Sequence, residues 1–276
     1  MKIKNLLSEA TIKLEKTSAS AALDARLLLA EVLGVRKERL ILDSEVEVCS
    51  VHIKQFQQLL SRRLAKEPVA YILAHQDFWD FSLFVDSSVL IPRPETELLV
   101  EWVLADHSKS SKRRVLELGV GSGAITIALA RERPQWDFTA LDISNNALQV
   151  AKKNIANIVP DSAIKLLQSD WFSGLSNVNK FDVIVANPPY ISSNSPDLLN
   201  LEYEPQQALV AGLDGLECYR HIITTIKEYM YPGATVYLEH GNEQQLSLLN
   251  LFAANGITNI ATQDDLAGHA RIIKFK

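Results

Sequence analysis

The chain has 276 residues, of which 47% are hydrophobic and 22% charged, a composition that excludes collagen-like, low-complexity and largely disordered proteins. Its length predicts one large domain or two modest ones. The net charge of -5 is uneven, because residues 1–76 carry 12 Lys+Arg against 9 Asp+Glu whereas residues 77–276 carry 16 against 24, which disfavours a large nucleic-acid footprint on the second part.

Residues 1–76 are predicted to form a small helical domain. In the segment SAALDARLLLAEVLG, apolar residues recur at helical spacing up to Gly34, which is placed to end the helix. A further helix is predicted over 51–67 and is expected to end at Pro68. Residues 77–91 are rich in Phe, Trp and Val with partial alternation, and this predicts a β-hairpin linker between two domains.

Residues 92–276 alternate between short apolar runs and longer helical stretches, which is typical of a buried parallel sheet. The predicted strands are VLEL (115–118), FTAL (138–141), IKLL (164–167), VIVA (183–186) and TVYLE (235–239). Two closing strands are predicted at 257–263 and 270–275, the second of them antiparallel. The predicted helices are 95–105, 124–133, 144–157, 215–230 and 242–255. The pattern indicates an α/β fold with a seven-stranded, mostly parallel sheet.

A glycine-rich loop follows the first of these strands, just before a predicted helix. Such a loop lets a ligand approach backbone amides at a helix N-terminus. The loop consists of Gly119, Val120, Gly121, Ser122 and Gly123. The second strand ends in Asp142, where a carboxylate can accept hydrogen bonds from ribose hydroxyls. The spacing also satisfies the loose dinucleotide fingerprint, so a nicotinamide cofactor stays open at this point.

The sequence Asn187-Pro188-Pro189-Tyr190 follows the fourth strand, at the edge where open α/β sheets bind their ligands. The Asn187 side-chain carbonyl and the Pro188 backbone carbonyl can each accept one N–H of a planar amide or exocyclic amine. Proline also restricts the residue before it, which orients both acceptors in advance. Tyr190 can lie against the planar group. The motif therefore predicts that a poorly nucleophilic nitrogen is positioned for attack on an electrophilic carbon.

These motifs resemble the HemK-like family, also called the PrmC family, of S-adenosylmethionine-dependent methyltransferases that modify glutamine in peptide chain release factors. Further matching segments distinguish this family from DNA adenine and ribosomal guanine methyltransferases. They are Ile91–Glu97, Ser169–Phe172, Glu204–Leu209 with Gly212, Asp214 and Gly215, and Glu239–Gly241. The resemblance covers the catalytic part and, by its size and helical character, the N-terminal part.

The resemblance implies a Rossmann-like class I methyltransferase domain over 92–276, preceded by a helical substrate-recognition domain over 1–76. It implies S-adenosylmethionine as cofactor, with the 119–123 loop holding the methionine portion, Asp142 the ribose and Trp171 the adenine surroundings. Asn187 would contact both cofactor and substrate. The substrate glutamine would be lined by Pro188, Pro189 and Tyr190. The products would be N5-methylglutamine and S-adenosylhomocysteine.

Two other functions stay open on the sequence. One is methylation of an exocyclic amine of a nucleic-acid base, which the acidic balance of residues 77–276 disfavours. The other is a non-catalytic nucleotide-binding module, which the intact Asn187–Tyr190 motif and Asp142 disfavour. For Arg93 and Glu95, a direct role in the site and a proline-fixed helix start are equally compatible with the sequence.

The expected setting is the cytoplasm, with release factors as protein partners and a monomeric chain. Neither a membrane nor a nucleic acid is expected to bind. Ser8, Glu9 and Lys13 interrupt any signal-peptide core, and no apolar run approaches the ~18 residues of a membrane span. No metal is expected, because the six histidines show no ligand spacing, and most of them are interpreted as surface or hydrogen-bonded residues. The two cysteines, Cys49 and Cys218, are interpreted as reduced residues without a role.

Overall fold

A computed structural model describes residues 1–176 and 178–276 of the chain. Its backbone divides into two compact units, Met1–His75 and Gln76–Lys276. The predicted division into a helical domain (1–76), a hairpin linker (77–91) and an α/β domain (92–276) remains a prediction.

The first unit is helical and has its own apolar core. Its helices are α1 (Ile3–Leu14), α2 (Ala21–Leu33), α3 (Arg39–Leu42), α4 (Ser50–Leu64) and α5 (Val69–Leu73). As predicted, α2 ends at Gly34, whose φ of 63° is left-handed and therefore costs a glycine little. The prediction that Pro68 ends α4 is wrong. The chain already leaves the helix after Leu64, with Lys66 at a φ of 70°, and Pro68 instead precedes α5.

A hairpin of β1 (His75–Phe78) and β2 (Phe81–Phe84) starts at the last residue of the first unit and otherwise belongs to the second. Both backbone polar groups of Phe84 bond to the buried side-chain amide of Asn154: its N–H donates to Oδ1 at 2.8 Å, and its carbonyl accepts from Nδ2 at 2.9 Å. The hairpin is thereby fixed to the helix that carries Asn154.

In the described part of the chain, the remaining seven strands form one sheet in the order β5-β4-β3-β6-β7-β9-β8. They are β3 (Arg114–Leu118), β4 (Asp137–Asp142), β5 (Ile164–Gln168), β6 (Phe181–Ala186), β7 (Met230–Glu239), β8 (Ile260–Asp264) and β9 (Ala270–Phe275). The helices are α6 (Glu97–Asp106), α7 (Ala124–Glu132), α8 (Asn145–Ile158), α9 (Glu217–Thr225) and α10 (Gln245–Ala254). Strands β3 to β7 are parallel, and β9 runs antiparallel to β7. The predicted seven-stranded, mostly parallel sheet is confirmed.

Two predicted elements differ in their bounds for physical reasons. Strand β7 starts at Met230, five residues before its predicted start at Thr235. A register shift opposite Phe181–Val183 accommodates Pro232 and Gly233 inside the strand. The helix predicted over 215–230 ends at Thr225 and continues as a 3-10 turn. That turn buries Ile226 and Tyr229, which lie three residues apart on one face.

The strand register brings the ends of β4, β3, β6 and β7 to the same level. Leu118 pairs with both Leu141 and Ala186, and Ala186 also pairs with Leu238. The next residue on each strand therefore lies at one edge of the sheet. The strand order reverses between β3 and β6, and this is where doubly wound sheets bind ligands.

Candidate active site at the carboxyl edge of the sheet

The Asp142 carboxylate holds the glycine loop in place. Its Oδ2 accepts from the Gly121 N–H at 2.9 Å, and its Oδ1 accepts from the Ser144 N–H at 2.9 Å. Burial raises the pKa of Asp142, and the hydrogen bonds from these backbone amides, which lower it, only partly offset this effect. Each oxygen retains a lone pair, so the carboxylate can accept further hydrogen bonds while it orders the loop.

The loop leaves room for a ligand. Gly119 and Gly121 have φ values of 75° and 53°, and a Cβ added to either would meet no protein atom within 4 Å. They border a cavity of about 510 Å³, a size suited to a small-molecule ligand. Of the predicted site residues, the cavity is lined by Gly119, Val120, Gly121, Ser122, Asp142, Trp171, Asn187 and Pro189. The open space at the glycines and the carboxylate beside it fit a nucleoside-bearing cofactor.

Three predicted site residues are not part of the cavity lining. Gly123 instead caps α7 with a φ of 90°, where an added Cβ would lie 3.1 Å from Ile127. Pro188 is buried. Tyr190 packs against the apolar core, its carbonyl accepts from Gln244 Nε2 at 2.9 Å, and burial raises its pKa to about 12. The tyrosine is therefore neutral over the physiological pH range.

Asn187 is held by two residues that motif reading did not single out. Its Nδ2 donates to Thr96 Oγ1 at 3.2 Å, and the Thr96 hydroxyl donates to Glu239 Oε2 at 2.7 Å. Thr96 and Glu239 are both buried. Both lie within segments that match the family, but the sequence gives no sign that they contact each other.

Arg93, which is partly exposed, forms an ion pair with a buried glutamate. Its guanidinium donates to Glu204 Oε1 at 2.5 Å, and Glu204 Oε2 accepts from the Ile91 N–H at 3.0 Å. Only 3% of the Glu204 side chain is exposed. The pair joins the segment before α6 to the stretch after the Asn187–Tyr190 motif, two segments 111 residues apart in sequence.

Glu117, the last but one residue of β3, is a second buried carboxyl group beside the cavity. It accepts from both the backbone N–H and the hydroxyl of Thr126. Burial raises its pKa to about 8, so it is mostly protonated at neutral pH.

The cavity also includes side chains that the sequence reading set aside. Cys218 lines it, and burial raises the pKa of its thiol to about 11. His221 lines it as well, with its ring centroid 6.2 Å from that of Trp171. Trp171 adopts a left-handed φ of 47°, which is a strained conformation for a non-glycine residue. His240 is fully buried; its Nδ1 bonds to the Gly241 carbonyl at 2.9 Å, and its Nε2 has no hydrogen-bond partner among the described residues.

Over residues 1–176 and 178–276, no group of three or more His, Cys, Asp or Glu side chains is arranged to hold a metal ion. In the same residues, no helix combines the length and the hydropathy needed to cross a membrane.

Comparison with known proteins identifies the family. A profile of the PrmC N-terminal domain matches residues 5–73, and one of the methyltransferase small domain matches residues 94–200. A release factor glutamine methyltransferase of Coxiella burnetii is 38% identical over 99% of this chain and 98% of that protein. One from Aliivibrio fischeri is 40% identical over 92% of this chain and 90% of that protein. The chain belongs to the release factor glutamine methyltransferase family. The resemblance deduced from the motifs is confirmed.

Solved structures agree on the fold of this methyltransferase. A ribosomal protein L11 methylase from Lactobacillus delbrueckii subsp. bulgaricus superposes with a TM-score of 0.51 at 18% identity, over 70% of this chain and 83% of that one. A T. thermophilus 16S rRNA N2 G1207 methyltransferase, solved with AdoMet and guanosine, gives a TM-score of 0.53 at 18% identity, over 73% of this chain and 49% of that one. The predicted Rossmann-like methyltransferase fold is confirmed.

Proposed function

We propose that this chain transfers a methyl group from S-adenosylmethionine to the side-chain amide nitrogen of a glutamine in peptide chain release factors. The nitrogen forms a bond to the methyl carbon as the carbon–sulfur bond breaks, and the products are N5-methylglutamine, S-adenosylhomocysteine and one proton released from the amide nitrogen. The observation that carries the proposal is that Asn187 lines the same cavity as the glycine loop and Asp142. A side chain that can accept a hydrogen bond from a planar amide therefore lies beside a space large enough for a cofactor. Relatives of the same family, 38% to 40% identical, carry that activity in their names.

The cofactor is assigned to the loop side of the cavity. Residues 119–122 would hold its methionine portion, Asp142 would accept from the ribose hydroxyls, and Trp171 would border the adenine. Gly123 does not line the cavity and caps α7 instead. S-adenosylmethionine supplies an electrophilic methyl carbon on a sulfonium sulfur when bound. The support for this assignment is the open space at Gly119 and Gly121 and the unused lone pairs of the Asp142 carboxylate.

The residues of the Asn187–Tyr190 motif orient the substrate. A glutamine amide nitrogen is a poor nucleophile, because its lone pair is delocalised into the carbonyl. The Asn187 Oδ1 is proposed to accept one of its N–H bonds, with Pro189 bordering the planar group; both residues line the cavity. The Pro188 carbonyl as second acceptor and the Tyr190 ring are assigned from the family resemblance, since neither residue is part of the cavity lining. Holding both N–H bonds fixes the direction from which the nitrogen approaches the methyl carbon. Such positioning lowers the activation free energy without a general base.

The experiment incubates the full chain with purified release factor and S-adenosylmethionine labelled in the methyl group, followed by peptide mapping with mass spectrometry. We expect the label on one glutamine side chain. Transfer RNA, ribosomal RNA and a DNA oligonucleotide are incubated in parallel as alternative acceptors. Label recovered in a nucleic acid and absent from the release factor would overturn the proposed substrate class.

The helical unit is proposed to recognise the protein substrate. One glutamine side chain offers little surface, so selecting it requires binding energy from contacts remote from the reacting nitrogen. A chain of residues 76–276 keeps the compact unit with all the proposed cofactor and amide contacts. We expect it to bind S-adenosylmethionine normally, with kcat/KM on intact release factor reduced on the order of 100-fold.

The control for this truncation is a short glutamine peptide, which the full and the shortened chain should methylate equally poorly. Equal kcat/KM values of the two chains on intact release factor would show that the helical unit has no part in recognition.

A further inference from the structure

The two ends of the Asn187 amide have nearly the same shape but opposite hydrogen-bonding properties. Its Nδ2 donates to Thr96 Oγ1 at 3.2 Å, and its Oδ1 has no hydrogen-bond partner among the described residues. If the Asn187 oxygen faces the substrate, it can accept a hydrogen bond from the substrate amide N–H. If the Asn187 NH₂ group faces the substrate, two hydrogen-bond donors meet and no bond forms. The direction of this amide therefore decides whether the motif can bind a glutamine side chain productively.

The Thr96 hydroxyl selects the direction. It has one proton to donate, and its two neighbours are the Asn187 amide and the Glu239 carboxyl group. An ionised carboxylate only accepts, so the hydroxyl donates to Glu239 and is left to accept from Asn187. Thr96 is 4% exposed and Glu239 is 1% exposed, so bulk water does not compete for these bonds.

The fold holds the three residues together from three distant segments. Thr96 ends the 3-10 turn before α6, Asn187 follows β6 and Glu239 ends β7. The pairing of Ala186 with Leu238 sets Asn187 and Glu239 side by side. The Tyr219 hydroxyl donates to the Glu239 backbone carbonyl at 2.6 Å and fixes the end of β7.

We propose that Thr96 and Glu239 are positioning residues that keep the Asn187 Oδ1 turned toward the substrate amide, and that loss of the negative charge on Glu239 lets this amide turn over. The identity of the group that Oδ1 accepts from rests on the proposed function. The orientation of the amide does not.

The surroundings of Glu239 place its ionisation near neutral pH. Burial is the largest influence and raises the pKa of Glu239 to about 7. The Thr96 hydroxyl lowers this pKa, as do the positive charges of Arg271 and Arg93, whereas the negative charge of Glu95 raises it. Glu239 is thus charged above about pH 7 and neutral below it.

Burial favours the neutral form of the tyrosines and the histidine around Glu239. Burial raises the pKa of Tyr190 to about 12 and raises the pKa of Tyr219 well above its ordinary value, so both phenols are neutral. Burial lowers the pKa of the adjacent His240 and so favours its neutral imidazole. Glu239 is the carboxyl group that is hydrogen-bonded to Thr96. Glu117 lines the same cavity and burial raises its pKa to about 8, but it bonds to Thr126, and Glu239→Gln leaves it in place, so this variant separates the two.

The direction in which kcat changes with pH follows from which group donates the hydrogen bond between Glu239 and Thr96. Above about pH 7, the Glu239 carboxylate accepts from Thr96 and the amide is held correctly. Below it, a neutral carboxyl group can donate to Thr96, which then donates to the Asn187 Oδ1 once the amide has turned. The kcat of the full chain on release factor is expected to rise through a midpoint near pH 7. In Glu239→Gln this rise disappears, and kcat at pH 8 falls about tenfold.

Substitutions at Thr96 separate the hydroxyl from the volume of the side chain. Thr96→Val keeps the shape and loses the hydroxyl, and is expected to lower kcat about tenfold with an unchanged Kd for S-adenosylmethionine. Thr96→Ser restores the hydroxyl and should return kcat to within about twofold. The matched control is Thr235→Val, which alters a buried threonine of the same strand as Glu239 outside the cavity.

A measurement without substrate completes the test. The side-chain ¹⁵NH₂ signal of Asn187, assigned by its loss in Asn187→Ala, is followed from about pH 6 to 8. We expect it to shift with a midpoint near pH 7 in the natural chain and to stay constant in Glu239→Gln. A constant signal in the natural chain, or equal kcat in Thr96→Val and Thr96→Ser, overturns the proposal. If the signal titrates but release factor is not methylated, the proposed function fails and the positioning role stands.

Discussion

Replacing Asn187 with alanine is expected to lower kcat for glutamine methylation by about 10²–10³-fold, the effect of removing one fixed hydrogen-bonding group from a reacting centre. The side chain lines the cavity, and its Nδ2 is committed to Thr96, so the lost atom that matters is Oδ1. Its contact with the substrate amide is strongest in the reacting complex. The loss should therefore appear in kcat more than in the binding of either substrate.

Single-turnover methylation of release factor measures this loss, and thermal unfolding shows whether the variant is folded. Asn194→Ala is the matched control, since Asn194 is an exposed asparagine of the same connection, seven residues further along. A folded Asn187→Ala chain with near-normal kcat would refute the orienting role of the motif.

Replacing Asp142 with alanine is expected to weaken the binding of S-adenosylmethionine by two separate effects. The proposed ribose contact is a hydrogen bond to a charged acceptor, worth about 1.5–3 kcal/mol, or roughly 10- to 150-fold in Kd. In addition, the N–H groups of Gly121 and Ser144 lose the acceptor that orders the loop. Calorimetric titration of the cofactor into the variant measures the sum.

Two variants help to separate these effects. Asp142→Asn removes the charge and keeps one acceptor oxygen, and Asp137→Asn is the control for loss of a negative charge elsewhere. Asp142→Asn keeps one acceptor oxygen but turns an NH₂ group toward one of the two amide donors, so its Kd should lie between those of the natural chain and Asp142→Ala. Asp137→Asn removes an exposed carboxylate at the opposite end of β4 and should leave Kd unchanged. An unchanged Kd in Asp142→Ala would move the ribose contact to another residue.

Local patterns in the sequence were sufficient for the class of fold. Strands buried on both faces appear as continuous apolar runs, and the glycines after β3 mark a sharp turn into a helix, so both could be recognised without tertiary information. Boundaries failed where a local signal competed with a tertiary one. Pro68 looked like a helix end although α4 had already ended at Leu64, and Pro232 and Gly233 hid the first half of β7.

The sequence by itself determined which residue types follow the strands: glycines after β3, Asp142 at the end of β4 and Asn187 after β6. Only the tertiary structure decided what holds them. Thr96 bonds to Glu239 across 143 residues, and Arg93 pairs with Glu204 across 111. A buried polar group needs a partner, and this requirement can be read from the residue type. Which partner it finds depends on how segments distant in sequence come together, here the turn before α6, the connection after the Asn187–Tyr190 motif and the end of β7, and no local pattern records that arrangement.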